Sequence, residues 1–207
     1  MAFERIKFLP LVLLISLAIP TMTTAGDPDI TSDFIVPSNY FSVPGNFFAY
    51  TGMRKVLGNI TNTFKVTKAS MAEFPALNGQ SVSLAILQFP AGGVNPPHIH
   101  PRSAELLFLV DGCLEVGFVD TKNILYTQSL QAGDLFVFPK GLVHYQFNSN
   151  KKKSATVISG FGSANAGTVS LPGSIFTTGI NDVVLAKSFK TDVATIKKIK
   201  AGLTPKA

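Results

Sequence analysis

Three histidines and one glutamate form the pattern with the clearest chemistry in this 207-residue chain. His98, His100 and His144 are all of its histidines, and Glu105 lies five residues after the second. Three imidazoles and one carboxylate suit manganese, iron, zinc or copper, and the set contains no thiolate that would favour a soft metal. The pattern predicts one metal site. A six-coordinate metal would keep open positions for water, dioxygen or a bidentate acid.

The spacing of these residues indicates how they can meet. His98 and His100 are two residues apart, so their side chains share one face of an extended strand. On an unbroken strand the Glu105 side chain would point to the opposite face. The intervening Pro101-Arg102 pair can interrupt the strand, however, so that the chain changes direction before Glu105. We expect sequential hairpins to bring the Glu105 and His144 strands into one sheet, with His144 as the fourth ligand.

Polar residues near these four could support the site. Asn95, Gln146 and Asn148 are candidates for lining a pocket or for orienting the imidazoles. For Asn148, which ends a strand before Ser149-Asn150, a role in the turn is the favoured interpretation. Neither histidine segment offers an obvious general base, which favours redox chemistry over hydrolysis.

The two histidine segments resemble the paired boxes of cupins, in the form seen in germins and germin-like proteins, a family of secreted plant glycoproteins. The first, Gly92–Gly112, reads G-x5-H-x-H-x4-E-x6-G, and the second, Gly133–Asn148, reads G-x5-P-x-G-x2-H-x3-N. Both patterns are complete, and the resemblance covers the chain after its leader. It implies a manganese site held by the three histidines and Glu105.

Short apolar or alternating runs recur along the chain with turn signals between them. They predict an all-β fold, an antiparallel barrel or sandwich. Together with the resemblance, this implies a single cupin jelly-roll β-barrel with a C-terminal helical extension. Phe108, Phe136 and Phe138 are expected to pack inside the barrel. The predicted strands are Val82–Phe89, Glu105–Val110, Leu114–Val119, Ile124–Leu130, Leu135–Phe138, Leu142–Phe147 and Ala155–Gly160.

A helix is predicted over residues 191–202, where apolar residues recur at helical spacing from Val193 to Ile199. Thr191 or Asp192 would cap it and Gly202 would end it. Its apolar stripe needs a partner surface. The resemblance implies a homo-oligomer, a hexamer built as a trimer of dimers, whereas the alternative is a helix folded back on its own barrel.

The first 25 residues are expected to be a secretory signal peptide, because a basic start precedes an apolar core and small residues before Gly26. That core is too short and proline-broken for a membrane span. We therefore expect a secreted, extracellular protein with no membrane span, and the resemblance implies that it is located in the apoplast or cell wall. Residues 26–59 would form an N-terminal arm, and residues 60–207 the barrel with its helix.

Two further positions bear on secretion. Asn59 begins an Asn-Ile-Thr sequon and is a candidate N-glycosylation site. Cys113 is the only cysteine, so no internal disulfide forms, and its place in an apolar strand predicts a small buried residue. Germins usually carry two cysteines that staple the N-terminal arm. Here Ile35 and other non-thiol residues occupy that region, so the arm needs another anchor.

The chain is basic, with a formal net charge of +6. Export argues against a nucleic-acid partner. Anionic wall polysaccharide is a more plausible counterpart, although the run Lys151–Lys153 is by itself typical of a solvated hairpin tip.

Three functions remain open. The resemblance implies superoxide dismutation to hydrogen peroxide, an activity reported across germin-like proteins. It also implies oxalate oxidation, but of the two asparagines associated with the oxalate pocket of true germins, this chain keeps Asn95 and has Ala85 in place of the other. We rank oxalate oxidation lower. The third hypothesis is a non-enzymatic, metal-stabilised wall protein or receptor-like binder.

Overall fold

The computed structural model describes residues 26–38, 40–56 and 61–203, so the predicted signal peptide and Asn59 lie outside the described residues. The described chain folds into two five-stranded antiparallel sheets followed by three helices. The strands are β1 (Lys65–Ala69), β2 (Ser83–Phe89), β3 (Val94–Ile99), β4 (Glu105–Asp111), β5 (Cys113–Val119), β6 (Leu125–Gln131), β7 (Leu135–Phe138), β8 (Val143–Phe147), β9 (Ala155–Phe161) and β10 (Val169–Ser170). The helices are α1 (Leu171–Phe176), α2 (Asp182–Ser188) and α3 (Val193–Leu203).

One sheet has the strand order β1-β2-β9-β4-β7 and the other β10-β3-β8-β5-β6. The prediction of an all-β jelly roll with a C-terminal helical extension is confirmed, and all seven predicted strands are present. The list of predicted strands omitted β1, β3 and β10, although an extended strand was expected at His98 and His100. The first is polar, the second contains Pro96 and Pro97, and the third has only two residues, so each lacks the apolar alternation of an ordinary strand.

The core lies between the sheets and is formed by alternate residues of the facing strands. On β4, Leu107 and Leu109 are fully buried, whereas Leu106 and Phe108 point outward. Phe138 is buried in the core and Phe136 packs against it, as predicted. The prediction for Phe108 was wrong: it is 39% exposed, because the inward position of Glu105 on the same strand gives residue 108 the opposite parity.

The expectation that the Glu105 and His144 strands share one sheet was also wrong. Glu105 begins β4, which pairs with β7 and β9, while His144 lies on β8 in the opposite sheet. The chain changes sheet at Gly112, which has φ +87° and no room for a side chain: an added Cβ would lie 2.6 Å from the Ser154 carbonyl oxygen. Glu105 and His144 therefore face each other across the barrel.

The lone thiol is exposed rather than buried, which corrects the prediction for Cys113. Leu114 and Val116 are the buried residues of β5 at this end, so the first residue of the strand points away from the core.

The last helix packs on its two predecessors. Ile196 of α3 is fully buried against Leu185 and Ala186 of α2. Asp192 caps α3, since its Oδ1 accepts a 2.8 Å hydrogen bond from the Thr195 amide. The helix is described from Val193 to Leu203, the last described residue, and so includes Gly202, where the sequence analysis placed its end.

The N-terminal segment is anchored by polar and apolar contacts in place of a disulfide. Asp27 accepts hydrogen bonds from the Ser163 hydroxyl (2.5 Å) and the Ala164 amide (2.6 Å). Ile30 packs so closely on Gly79 that a Cβ added there would lie 2.5 Å from its Cγ2. Across the described ranges, no helix is long and apolar enough to cross a membrane.

Candidate metal centre

His98, His100, Glu105 and His144 converge between the two sheets. One ligand atom from each can be chosen so that all four lie within 4.8 Å of one another. All four side chains are buried, the most accessible being His100 at 7%. The structure thus brings together every residue that the sequence predicted as a ligand.

The strands explain this convergence. His98 on β3 lies directly opposite His144 on β8, and their ring centroids are 4.1 Å apart. The pairing of β3 with β8 is irregular between Asn95 and His98, where the two prolines lie. Glu105 reaches the imidazoles from the facing sheet, so the carboxylate completes the set across the barrel and not along one strand.

Each imidazole is fixed by a backbone carbonyl. Nδ1 of His98 lies 2.8 Å from the Pro96 oxygen, and Nδ1 of His144 lies 2.8 Å from the Leu142 oxygen. Nδ1 of His100 lies 2.6 Å from the Gly167 oxygen. Because a carbonyl oxygen only accepts, Nδ1 carries the hydrogen in each ring, and in a neutral ring the Nε2 lone pair is free for a metal.

The Glu105 carboxylate is held in a matching orientation. Its Oε1 accepts hydrogen bonds from the Ser159 hydroxyl (2.6 Å) and the Gln146 amide (3.3 Å). Its Oε2 lies 3.1 Å from Nε2 of His100 and 3.3 Å from Nε2 of His144. One oxygen is thus occupied by the protein, and the other points toward the imidazoles.

The protonation equilibria follow from this burial. Burial lowers the pKa of His98 to about 4, and the adjacent His144 ring acts in the same direction. Burial alone would raise the pKa of Glu105, but contacts with His100, His144 and Ser159 outweigh it and lower the pKa to about 2. At neutral pH the centre therefore combines a neutral His98 with an ionised Glu105.

The donor set fits a metal ion. Each Nδ1 hydrogen is donated to a carbonyl, so the Nε2 lone pairs of His100 and His144 face Oε2 of Glu105 at 3.1 and 3.3 Å. Lone pairs and a carboxylate oxygen repel each other at these distances unless a cation lies between them. A proton or a metal ion can supply that charge. Aromatic rings limit access of water, since Phe138 stacks on His144 at 4.5 Å and Phe161 meets His100 edge-on at 4.8 Å.

The three polar candidates take different places. Gln146 bridges Glu105 and Asn95, because its Oε1 accepts a 2.6 Å hydrogen bond from the Asn95 amide. Asn95 also lies 3.5 Å from Nε2 of His98. Asn148 is fully buried, but it bonds the Pro90 and Lys153 carbonyls, which are the contacts of a turn residue.

Sequence reasoning missed Ser159, Arg102 and Gly167. Arg102 donates from Nε to the Asn165 carbonyl at 2.5 Å and from Nη2 to the Asn165 side chain at 2.9 Å, which holds the segment that ends in Gly167. Gly167 has φ +70°, and a Cβ there would lie 2.7 Å from the guanidinium. Each of these contacts joins residues more than 50 positions apart in sequence, so local sequence patterns do not reveal them. Only Gly167 offers a local signal, because glycine often marks a turn.

A cavity of about 280 Å³ opens beside the centre. Asn95, His98, His100, Glu105 and Ala85 are among the residues that line it, and His144 is not.

Comparison with known proteins agrees with this architecture. Residues 57–197 match the Cupin family. Germin-like protein 9-3 of Oryza sativa subsp. japonica is 59% identical, with 96% of this chain and 97% of the rice protein covered. Germin-like protein subfamily 2 member 4 of Arabidopsis thaliana is 37% identical, with 92% and 94% covered.

A solved structure of oxalate oxidase in complex with the substrate analogue glycolate superposes with a TM-score of 0.76 at 33% identity, covering 86% of this chain and 98% of that one. The family match and the two relatives establish the family independently of that fold similarity. The chain belongs to the germin-like proteins of the cupin family.

Proposed function

We propose that this germin-like protein is a secreted, manganese-binding protein of the plant apoplast or cell wall with superoxide dismutase-type activity that produces hydrogen peroxide. The observation that carries the proposal is the convergence of three carbonyl-locked imidazoles and one ionised carboxylate beside an open cavity. The proposed ligands are His98, His100, Glu105 and His144. Such a nitrogen and oxygen set also accepts iron, zinc or copper.

When bound, manganese would supply a one-electron couple that oxidises one superoxide to dioxygen and reduces another, with two protons, to hydrogen peroxide. The protein would hold the metal ion with fixed ligands and limit its contact with water. Ser159 and Gln146 keep Glu105 in one orientation, and the carbonyls keep each imidazole in one tautomer. Such outer contacts typically change metal affinity or activity by about 10- to 100-fold.

Oxalate oxidation is the second candidate. It is supported by the likeness to a solved oxalate oxidase and by Asn95, which lines the cavity beside His98. Ala85 argues against it, because a methyl group in the cavity wall donates no hydrogen bond to a dianion. We therefore rank dismutation first.

Further proposals concern the rest of the chain. Residues 1–25 would be removed as a signal peptide, residues 26–59 would form the arm, and Asn59 would carry a glycan.

The barrel would assemble as a homo-oligomer, a hexamer arranged as a trimer of dimers. Leu106, Phe108, Leu135 and Val137 expose apolar surface on the outer face of one sheet, which supports assembly. The basic surface would contact anionic wall polysaccharide.

The decisive experiment measures superoxide dismutation by the purified secreted protein, expressed per bound manganese and compared with free manganese and with His144→Ala. His144 does not line the cavity, so its loss should remove metal without changing the residues of the cavity wall. Activity well above free manganese and lost in the variant would support the redox enzyme. A metal-loaded protein no better than free manganese would favour the metal-stabilised wall or receptor-like alternative.

A further inference from the structure

The loop between β9 and β10, residues 162–168, connects the N-terminal segment with the candidate metal centre. At one end of the loop the Gly167 carbonyl lies 2.6 Å from Nδ1 of His100, and the Thr168 hydroxyl lies 3.4 Å from the same nitrogen. At the other end the loop meets Asp27, 136 residues earlier in sequence. One short loop therefore contacts both a candidate ligand and the start of the described chain.

The barrel holds this loop through the loop's carbonyl groups. Four consecutive carbonyls accept hydrogen bonds of 2.5 to 3.1 Å from the barrel. The acceptors are Ser163, Ala164, Asn165 and Ala166, and the donors are Ser83, Met71 and Arg102. These bonds do not use the Ser163 hydroxyl or the Ala164 amide, which belong to buried residues. Because a buried donor without an acceptor is costly, the loop needs a second anchor.

Asp27 supplies the acceptors for these two donors. Its Oδ1 accepts a 2.5 Å hydrogen bond from the Ser163 hydroxyl, and its Oδ2 accepts a 2.6 Å hydrogen bond from the Ala164 amide. The Ser163 hydroxyl oxygen in turn accepts a 3.0 Å hydrogen bond from the Asn165 amide. Asn165 is the residue through which Arg102 holds the loop. The carboxylate thus fixes the part of the loop that leads into the Gly167 carbonyl.

The segment that carries Asp27 is attached to the barrel without a covalent link, since the single cysteine of the chain cannot form an internal disulfide. Ile30 packs on Gly79, and the Gln80 side chain donates a 3.2 Å hydrogen bond to the Asp33 carbonyl. A cavity of about 360 Å³ is lined by both the segment and the loop. A segment held in this way can open locally without unfolding of the barrel.

We propose that Asp27 is a positioning residue for His100, and that docking of the N-terminal segment raises the affinity of the centre for its metal. Asp27 contacts no candidate ligand. It acts on the loop, and the loop orients the His100 ring through the Gly167 carbonyl. The inference rests on the proposed metal site but not on the proposed dismutation. By linkage, bound metal must stabilise the docked segment to the same extent that the segment strengthens metal binding.

The first test measures manganese affinity of the purified secreted protein by competition with a chelator. Asp27→Ala should weaken manganese binding about three- to tenfold, less than the roughly 10- to 100-fold typical of a lost contact to the ligand itself. Asp29→Ala, at an exposed position of the same segment, is the matched control and should leave affinity unchanged. Ser163→Ala removes one of the two donors and provides a second test if Asp27→Ala unfolds. Wild-type affinity in the Asp27 and Ser163 variants would overturn the proposal.

A destabilised variant separates this role from a general loss of stability. Ile196 is fully buried against Leu185 and Ala186, in a cluster formed by the C-terminal helices. Ile196→Val should lower the thermal midpoint without changing manganese affinity. A loss of affinity as large as that of Asp27→Ala would assign the effect to instability and contradict the positioning role.

A double-mutant cycle tests the route through the loop. In Gly167→Ala the carbonyl that orients His100 is already displaced, so adding Asp27→Ala should change manganese affinity by less than about twofold. Two losses that multiply would show that Asp27 does not act through the Gly167 carbonyl.

Hydrogen exchange tests the reverse direction of the coupling. Manganese should slow exchange of the Ala164 amide, the donor to Asp27, and of amides in the segment 26–30. The slowing should be absent in Asp27→Ala, and equal exchange with and without manganese in the wild type would refute the coupling. A chain that takes up no manganese would sink this proposal and the proposed function together. A chain whose manganese affinity depends on Asp27 but that does not dismutate superoxide would sink only the dismutation.

Discussion

The Gly167 carbonyl lies 2.6 Å from Nδ1 of His100, although 67 residues separate the two in sequence. Arg102 holds the same segment from the other side through Asn165. The orientation of one candidate ligand therefore depends on a loop that contributes no ligand itself. This relationship identifies positions where a substitution should change metal affinity without touching the donor set.

Gly167→Ala should weaken metal binding. The residue has φ +70°, and the new Cβ would lie 2.7 Å from the Arg102 guanidinium, so the loop and its carbonyl must move. Loss of such an outer contact typically lowers metal affinity about 10- to 100-fold. Competition with a chelator of known affinity measures the change.

Gly92→Ala is the control for backbone strain. Gly92 also has φ +70°, but a Cβ there meets nothing within 4 Å. Both variants should lose about 1–2 kcal/mol of stability from the left-handed backbone. Only Gly167→Ala should lose metal affinity, and an equal loss in both would refute a specific role for the loop.

The stability of the metal-free protein should fall as the solution becomes acidic. The pKa of His98 is about 4 in the folded chain against an ordinary 6.5, so between these values the unfolded chain binds more protons and is favoured as pH falls. The depressed pKa of Glu105, about 2 against 4.5, acts in the same direction at lower pH. Urea unfolding from neutral pH down to about 4 measures the first window.

His98→Leu provides the comparison for this pH dependence, because it removes the titrating ring from the same buried position. Its free energy of unfolding should vary less over the window from 6.5 to about 4. A wild-type protein whose free energy of unfolding stays constant across that window would show that His98 titrates normally.

Ala85→Asn should raise oxalate turnover. The substitution places an amide donor in the wall of the cavity that His98, His100 and Glu105 also line, where a dianion would bind the metal. One hydrogen bond to a charged group contributes about 1.5–3 kcal/mol, equivalent to roughly 10- to 150-fold in turnover per metal. Ala85→Leu has similar bulk without the amide and serves as the control. No gain over that control would mean that the missing asparagine is not what limits oxalate oxidation.

Asp27→Ala should destabilise the fold through the N-terminal segment. Asp27 accepts two hydrogen bonds, from Ser163 and Ala164, both buried. Their loss leaves donors without partners and should lower the free energy of unfolding by about 2 kcal/mol. Asp29→Ala, at an exposed position two residues later, should be nearly neutral. Equal effects of the two variants on chemical denaturation would rule out this anchor.

The candidate site was easier to predict from the sequence than the sheet topology was. The residue types and spacing of His98, His100, Glu105 and His144 carry their chemistry locally, and all four converge. The sheet assignment failed because pairing is decided by packing across the barrel. The sequence around Gly112 is typical of a hairpin turn between β4 and β5. In the structure the chain instead crosses at Gly112 from one sheet to the other.

The predictions of burial for two single residues were wrong for a similar reason. The exposure of Phe108 and Cys113 depends on strand parity, and parity was fixed by the inward positions of Glu105 and Leu114. Ser159 could not be assigned to the site at all, because its hydroxyl meets Glu105 across 54 residues and serine is common in strands of every kind.

The carbonyl-locked imidazoles also distribute the control of one centre along the chain. Their three acceptors belong to separate parts of the backbone, at Pro96, Leu142 and Gly167. A shift of any one of these segments would turn a ring away from the point where the four ligands meet. Segments that supply no ligand atom therefore share responsibility for the geometry of the site.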